Sequence, residues 1–270
     1  VFELKETCTK VPVIRYRNGA FATGEDLIIR EVPVTLILNN FEFATMVCSP
    51  CDLKEMAVGF LYSEGLVQQP ADLKNITVDE TNLTIRVETT EEALTEERFV
   101  KRLVTTSCTR GGPSLYFFNN AKRVVPVSTD IKITPGEIFF LCDEVEKVSP
   151  LFQATGGSHS AALCVNGEII VFFEDVGRHN AVDRVSGRCL LDNITMSDKI
   201  LVFSGRVSSE ILIKVAKMGI PLIAARSAPT ELAVNLAKEF GITIVGFIRT
   251  DRLTIYSHEN RVVERRSRQQ

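Results

Sequence analysis

The sequence predicts an α/β protein with a smaller N-terminal α+β unit, and three observations support that class. Short β-rich runs joined by turn signals fill Val11–Cys48, one strongly periodic helix follows, and from Ser158 onward strand-like runs alternate with amphipathic helices. A chain of 270 residues, 45% hydrophobic and 24% charged, can bury one or two sizeable cores, which excludes disorder and collagen-like architecture.

Taken in order, the runs VPVIRY, EDLIIR, VPVTLIL and FEFATMV are punctuated by Asn18-Gly19 and Asn39-Asn40, residues that tolerate the positive φ of tight hairpin turns. Asp52 then opens DLKEMAVGFLYSEGLV, where Leu53, Met56, Ala57, Phe60 and Leu61 recur at helical spacing and Gly65 follows the last turn. Two further β-like runs, ITVDE and LTIRVET, complete a small α+β unit over residues 1–104, with strands wrapped on one helix. The stretch TTSCTRGGPS carries no large apolar side chain and reads as a loop, so residues 105–130 are expected to form a mobile loop and linker carrying Cys108.

The third part, residues 131–270, begins with Thr134-Pro135-Gly136-Glu137, where Pro suits the first helical position and introduces the helix-like EIFFLCDEVEKVSPLF. Beyond it come AALCV, EIIVFF, RHNAVDRVSGRCLL, KILVFS, SEILIKVAKMG, PLIAAR, PTELAVNLAKEFG and TIVGF. Buried strands followed by helices are the text of right-handed βαβ crossovers, and ligand sites in such sheets lie at the carboxyl ends of the strands. Here those ends read Ser204-Gly205-Arg206, Arg226-Ser227-Ala228 and Arg249-Thr250-Asp251, so three arginines stand at three strand ends.

A formal net charge of −3 and a pI near 5.8 give no general reason to expect nucleic acid or a membrane surface as partner, and any anion site must be local. No run approaches the roughly 20 apolar residues of a membrane-spanning helix, and no signal segment is visible, so a cytoplasmic location is expected. Seven cysteines, at positions 8, 48, 51, 108, 142, 164 and 189, show no disulfide rhythm and suggest free thiols in a reducing compartment.

Four constellations are candidates for chemistry. Cys108, among Ser107, Thr109, Arg110 and Gly111, is the most exposed-looking thiol, and Arg110 can favour its thiolate; an ordinary surface cysteine is the alternative. Cys48-Ser-Pro-Cys51 is a C-x-x-C before a helix start, readable as a redox pair or as two free thiols. In Phe173–Asp183 an acid pair, Arg178 and His179 crowd a strand-to-helix corner; Arg178 and His179 would lie at the first helical turn, where amides favour anions, although capping by Asp175 plus surface charge explains the spacing equally well. Ser204–Glu210 makes a second such corner with Arg206 free for a phosphate. Zinc deamination is not expected from Gly156–Ala161, because the residue two after His159 is Ala161 and no C-x-x-C lies downstream. The terminal RVVERRSRQQ reads as a solvated tail.

Together the blocks EVPVTLILN, PCDLKEMAVGFLYSEGLV, TGGSHSA, FEDVGRHNAVDR, SGRVSSE and SAPTELAVNLAKEFGITIVGFIR resemble the FdhD family of formate dehydrogenase accessory sulfurtransferases. The resemblance implies a larger domain with a cytidine-deaminase-like α/β fold, a homodimer, and a sulfur carrier that takes persulfide sulfur from a cysteine desulfurase. It implies transfer of that sulfur to the molybdenum cofactor, as Mo-bis(molybdopterin guanine dinucleotide), before insertion into formate dehydrogenase. Cys108 holds the position of the family's persulfide cysteine. The segment Phe247-Ile248-Arg249-Thr250-Asp251-Arg252 matches the stretch assigned to the cofactor, with Arg178, His179 and Arg206 as further candidate contacts. One departure is plain: many members carry C-x-x-C in the loop, whereas this chain reads Cys108-Thr-Arg-Gly111. A thiol-disulfide oxidoreductase using Cys48 and Cys51, and a non-covalent molybdenum-cofactor chaperone, are the rival readings.

Overall fold

The computed structural model describes residues 4–90, 102–104 and 124–264. A single helical turn, α1 (Leu4–Thr7), leads into a ribbon of two ten-residue strands, β1 (Cys8–Arg17) and β2 (Ala20–Ile29). Asn18 at φ 51° and Gly19 at φ 82° close it, the pair of positive angles that a two-residue hairpin turn needs.

The next hairpin, β3 (Val32–Leu38) and β4 (Phe41–Cys48), lies in a five-stranded sheet of order β5-β6-β3-β4-β7, with β5 Leu73–Asp79, β6 Thr84–Thr89 and β7 Arg102–Val104. Alternation along these strands turns Val34, Leu36, Leu38, Met46, Ile85 and Val87 inward onto Met56, Ala57 and Leu61 of α2 (Leu53–Glu64). The sequence signals are met here: Gly65 ends α2 in the left-handed conformation at φ 77°. Asp52 precedes α2 at φ 43° but makes no side-chain cap, because its carboxylate turns toward Arg184, 3.6 Å away.

The α/β class holds. A six-stranded sheet of order β13-β12-β11-β10-β8-β9 is built from β8 (His159–Val165), β9 (Glu168–Asp175), β10 (Ile200–Phe203), β11 (Leu222–Ala225), β12 (Thr243–Gly246) and β13 (Thr254–Ile255). The three central strands β10, β11 and β12 run parallel, joined through α6 (Ser209–Lys217) and α7 (Glu231–Phe240), while β8 pairs antiparallel with β10. Helices α5 (Arg178–Leu191), α6 and α7 cover one face, and α3 (Pro135–Lys147) covers the other, giving three layers around two apolar clusters.

Helix α3 starts as its sequence dictates. Pro135 opens it, and Thr134 and Glu137 cap reciprocally: Thr134 Oγ1 accepts from Glu137 N at 3.2 Å, and Glu137 Oε2 accepts from Thr134 N at 2.8 Å. The run to Phe152 is not one helix, however. It breaks at Val148-Ser149, and Pro150 begins a separate short helix, α4 (Pro150–Thr155), because proline disfavours helical geometry in the residue before it.

The two sheets are joined by α2 lying against α5 at very close range. A Cβ on Gly59 would sit 1.7 Å from the Asp183 carbonyl oxygen, and one on Gly187 would sit 1.9 Å from that of Glu55. Glycine is required at both places by backbone proximity, since neither carbonyl can move without disturbing its helix. Across the same seam Asp183 accepts from Ser63 Oγ at 2.7 Å and lies 2.5 Å from Lys214 Nζ, tying α2, α5 and α6 together.

Candidate functional site

The carboxyl ends of β10, β11 and β12 share an edge with the first residue of β8, because β8 runs the other way. The structure therefore brings His159 to the strand ends singled out from the sequence. Its Nδ1 lies 3.4 Å from Ser204 Oγ, which accepts from Ser160 N at 2.9 Å. The two strand-to-helix corners also meet: a Cβ on Gly205 would sit 3.2 Å from Arg178 Cβ. Gly205 is needed there, because the same Cβ would sit 2.7 Å from the Phe203 ring.

Helix α5 begins at Gly177 with no side-chain cap. Asp175, a capping candidate in the sequence, is fully buried and has other partners. It accepts from Gly177 N at 2.6 Å, Asn180 Nδ2 at 2.8 Å and Ser49 N at 2.9 Å, and it pairs with Arg184 Nη2 at 2.5 Å. Neighbouring Glu174 accepts from Leu151 N at 2.9 Å, Phe152 N at 2.8 Å and Ser158 Oγ at 2.7 Å, holding the start of α4 and the Gly-rich turn after it. Both acids of the motif thus position backbone rather than face solvent.

Arg178 and His179 occupy the first turn of α5, as the sequence predicts. The Arg178 Nε and His179 Nε2 atoms are enclosed and unpartnered; Glu210 Oε2 stands 3.5 Å from His179 without forming a hydrogen bond. Burial, then the Lys214 and Arg178 charges, hold the His179 imidazole well below its usual range, and burial together with Arg178 lowers His159. Both rings are neutral at pH 7, so Glu210 is no ion-pair partner to His179. In the unfolded chain they return to about 6.5 and take up protons first as the pH falls. The folded state's advantage is full above that value and declines as the pH drops through it. The thermal midpoint is expected to fall between about pH 7.5 and about pH 5.5, and His179→Gln to flatten that slope; a parent midpoint that does not move would contradict the assignment.

Beside this cluster opens a cleft of about 430 Å³, lined by Phe152, Gly157, His159, Ser204, Arg226 and Arg249, with the Cys142 thiol in its wall. Arg226 donates to Asp143 at 2.9 Å and Glu146 at 2.7 Å on α3, while Arg249 Nη1 donates to the Arg226 carbonyl at 2.6 Å. Sequence reading found Arg226 at a strand end but not its tether, because the two acids lie some eighty residues upstream. The Cys142 thiol stands among apolar neighbours in the sequence, and burial pushes it to about 12 and keeps it protonated.

The segment matched to a cofactor stretch continues the rim. Phe247 is 47% exposed and sits at φ 51°, a costly angle for an aromatic residue. Ile248 points the other way and is fully buried, so it anchors the turn. Arg249, Thr250, Asp251 and Arg252 are exposed, and Arg249 N donates to the Arg252 carbonyl at 2.8 Å. Arg206 is exposed at its corner. The exposed Arg206 and Arg252, an Arg249 guanidinium steadied by the Arg226 and Ile248 carbonyls, an enclosed and unpartnered Arg178 Nε, and an uncapped helix start form a surface suited to an anion. Cys108, with Arg110 and Gly111, lies outside the described residues, as does most of the loop expected over 105–130.

For the Cys48-Ser-Pro-Cys51 pair the structure fits the second sequence reading, two free thiols. A helix start lowers a thiol pKa only where water or charge can exploit it. Here burial dominates, pushing Cys48 to about 12 and Cys51 to about 11 despite Arg184, whose Nη1 donates to Cys51 Sγ at 2.9 Å. Among the described residues no group of His, Cys, Asp and Glu is arranged to hold a metal ion, and no helix is long and apolar enough to cross a membrane.

Comparison with known proteins agrees with this architecture. Residues 29–263 match the model of the FdhD/NarQ family. The chain is 41% identical over 252 residues to a sulfur carrier protein FdhD of Geobacillus kaustophilus, covering 93% of this chain and 96% of that protein. It is 39% identical over 253 residues to its Bacillus subtilis counterpart, with the same coverage. A crystal structure described as that of a formate dehydrogenase accessory protein from Desulfotalea psychrophila superposes with a TM-score of 0.77 at 26% identity, covering 95% of this chain and all of the other.

Proposed function

This chain belongs to the FdhD/NarQ family, and from that membership we propose that it is a sulfur carrier serving formate dehydrogenase. In this reading it acts in the cytoplasm as a homodimeric sulfurtransferase between a cysteine desulfurase and the molybdenum cofactor. Cys108 as thiolate attacks the terminal sulfur of the donor's persulfide; the donor's S–S bond breaks, its cysteine leaves as thiolate, and Cys108 retains the sulfur as its own persulfide. That exchange is redox-neutral. Delivery of the sulfur as a sulfide ligand takes up two electrons, supplied by the molybdenum of the cargo or by an external thiol reductant.

The observation that carries the cofactor half of this reading is the arginine-rimmed cleft at the sheet edge, continuous with the Phe247–Arg252 turn. The guanine nucleotide ends of Mo-bis(molybdopterin guanine dinucleotide) bring pyrophosphates, which Arg249, Arg252, Arg206 and Arg178 suit as charge-assisted donors. Each such bond is worth about 1.5–3 kcal/mol, or roughly 10- to 100-fold in affinity. Guanosine diphosphate binding, followed calorimetrically, is therefore expected to weaken at least that much in Arg249→Ala/Arg252→Ala. Unchanged affinity would remove this turn from the site.

The carrier step is tested by intact mass and peptide mapping after incubation with a cysteine desulfurase and cysteine. A reductant-sensitive gain of one sulfur atom on the peptide containing Cys108 is expected, and Cys51→Ser should load as the parent does. No gain, or a gain on the Cys48–Cys51 peptide, would overturn the assignment. The buried, protonated state of that pair is why we set the oxidoreductase reading aside.

A further inference from the structure

Among the described residues the β1–β2 ribbon is anchored at its base. Arg30 N donates to the Thr7 carbonyl at 2.8 Å, and Ile29 sits so close to Gly157 on the cleft rim that a Cβ there would lie 2.8 Å from Ile29 Cγ2. Beyond that base the strands form a sheet of their own, with no third strand among the described residues. Isolated two-stranded ribbons are marginal in water. This one also carries Ile14, Tyr16 and Phe21 at 72%, 62% and 77% exposure, with the two rings 5.0 Å apart. The register pairs Tyr16 with Phe21 and Ile14 with Thr23, so all three large apolar side chains share one face near the tip.

The two outer edges are not alike. A two-residue turn makes Arg17 and Ala20 a hydrogen-bonded pair, and alternation then aims the backbone groups of Tyr16, Ile14 and Pro12 outward on β1, and those of Phe21, Thr23 and Glu25 outward on β2. Pro12 removes an outward donor from β1, and Lys10, Arg15 and Arg17 flank it with charge, the usual protection of an edge strand. On β2 the Glu25 carbonyl is occupied by Arg15 Nη2 at 2.7 Å, whereas the uncharged stretch Ala20–Gly24 leaves Phe21 and Thr23 open.

We propose that two copies of this chain pair through this open edge, β2 against β2, antiparallel and centred on Ala22. In that register Phe21 of each ribbon faces Thr23 of the other, so the open donors and acceptors satisfy one another. The twofold keeps both apolar faces on the same side of a four-stranded sheet, where Phe21 of each copy, backed by its own Tyr16, lies beside Thr23 and diagonally beside Phe21 of the other. No like charges oppose, and Arg17 at each tip approaches the Glu25-Asp26 stretch of the other ribbon. Charge and pattern thus favour a second copy over an unrelated strand. The proposal rests on the homodimer reading above and specifies its interface.

The full-length chain should elute at twice 30.0 kDa by size exclusion with light scattering. Phe21→Ser/Thr23→Pro should elute at 30.0 kDa with an unchanged far-ultraviolet circular dichroism spectrum, since Thr23 N–H lies outside the β1–β2 ladder. Ala22→Cys tests the register without weakening the contact: the two Ala22 Cα atoms would stand about 4.5 Å apart, within disulfide reach, so diamide should give a covalent dimer that the parent does not. A two-chain mass that survives Phe21→Ser/Thr23→Pro, or no cross-link in Ala22→Cys, overturns the ribbon interface while leaving the homodimer standing. A parent of single-chain mass overturns both.

Discussion

In a host lacking this protein, Cys108→Ala is expected to restore no formate dehydrogenase activity above background, where the parent restores it fully. The effect is large because no other thiol described here can take over: Cys8, Cys48, Cys142, Cys164 and Cys189 are buried, and Cys51 is held by Arg184. Serine at the same place should fail equally, since an alcohol oxygen does not accept sulfane sulfur from a persulfide. Formate-dependent dye reduction in cell extracts measures this, with chain abundance followed alongside. A non-covalent chaperone predicts the opposite, near-parental activity in Cys108→Ala together with loss in Arg249→Ala/Arg252→Ala. The missing loop partner at Gly111 sharpens the experiment, because one thiol alone must carry the sulfur.

The second large effect concerns stability. Arg184 is fully buried on α5. Burial is the largest influence and opposes its charge, but Asp175 at 2.5 Å together with Cys51 and Cys48 outweighs it and keeps the guanidinium protonated. It also donates to the Ser49 carbonyl at 2.9 Å and to Cys51 Sγ, so one side chain ties the segment between β4 and α2 to the strand-to-helix corner of the larger sheet. Removing one partner of a buried ion pair strands the other, at a cost of about 3–5 kcal/mol. Arg184→Met should lose that much in urea denaturation. The deficit should narrow on acidification, as Asp175 takes up a proton. Asp175→Asn/Arg184→Met, which removes both charges, should regain part of the loss. A deficit below about 1 kcal/mol would mean that the pair is replaceable by packing alone. Because Arg178 and His179 begin the same helix, loosening this tie also disturbs the anion-facing corner.

Much of this molecule is legible in one dimension because its signals are local. Asn18-Gly19 specifies a hairpin because both residues reach positive φ. Thr134-Pro135-Gly136-Glu137 specifies a helix start because cap and proline act within four residues. Gly65 specifies a stop by its left-handed angle. The parallel βαβ run and its arginine-tipped strand ends follow from hydrophobic period and chain order. The strand end Arg249-Thr250-Asp251 and the two helix-start corners therefore stand out in the sequence, and only the family resemblance widens the first to Phe247–Arg252.

What only the tertiary structure decided are the properties that depend on which residues meet across the fold. Glu174 and Asp175 read as an acid pair at a strand-to-helix corner, with Asp175 a cap candidate, yet hold backbone amides elsewhere, because α4 and Ser49 fold onto them. Cys48-Ser-Pro-Cys51 reads as a redox pair or as two free thiols in sequence, and it is burial, raising both thiols, that decides for the second. His179 reads as a candidate anion contact at a helix start, yet burial, with Lys214 and Arg178 beside it, holds its ring neutral. The sequence by itself determined where the chain turns, winds and presents its arginines, since those follow from nearest-neighbour sterics and periodicity. Burial and charge pairing, which set every pKa and every partner, are sums over residues distant in sequence and exist only once the two sheets have closed on α2 and α5.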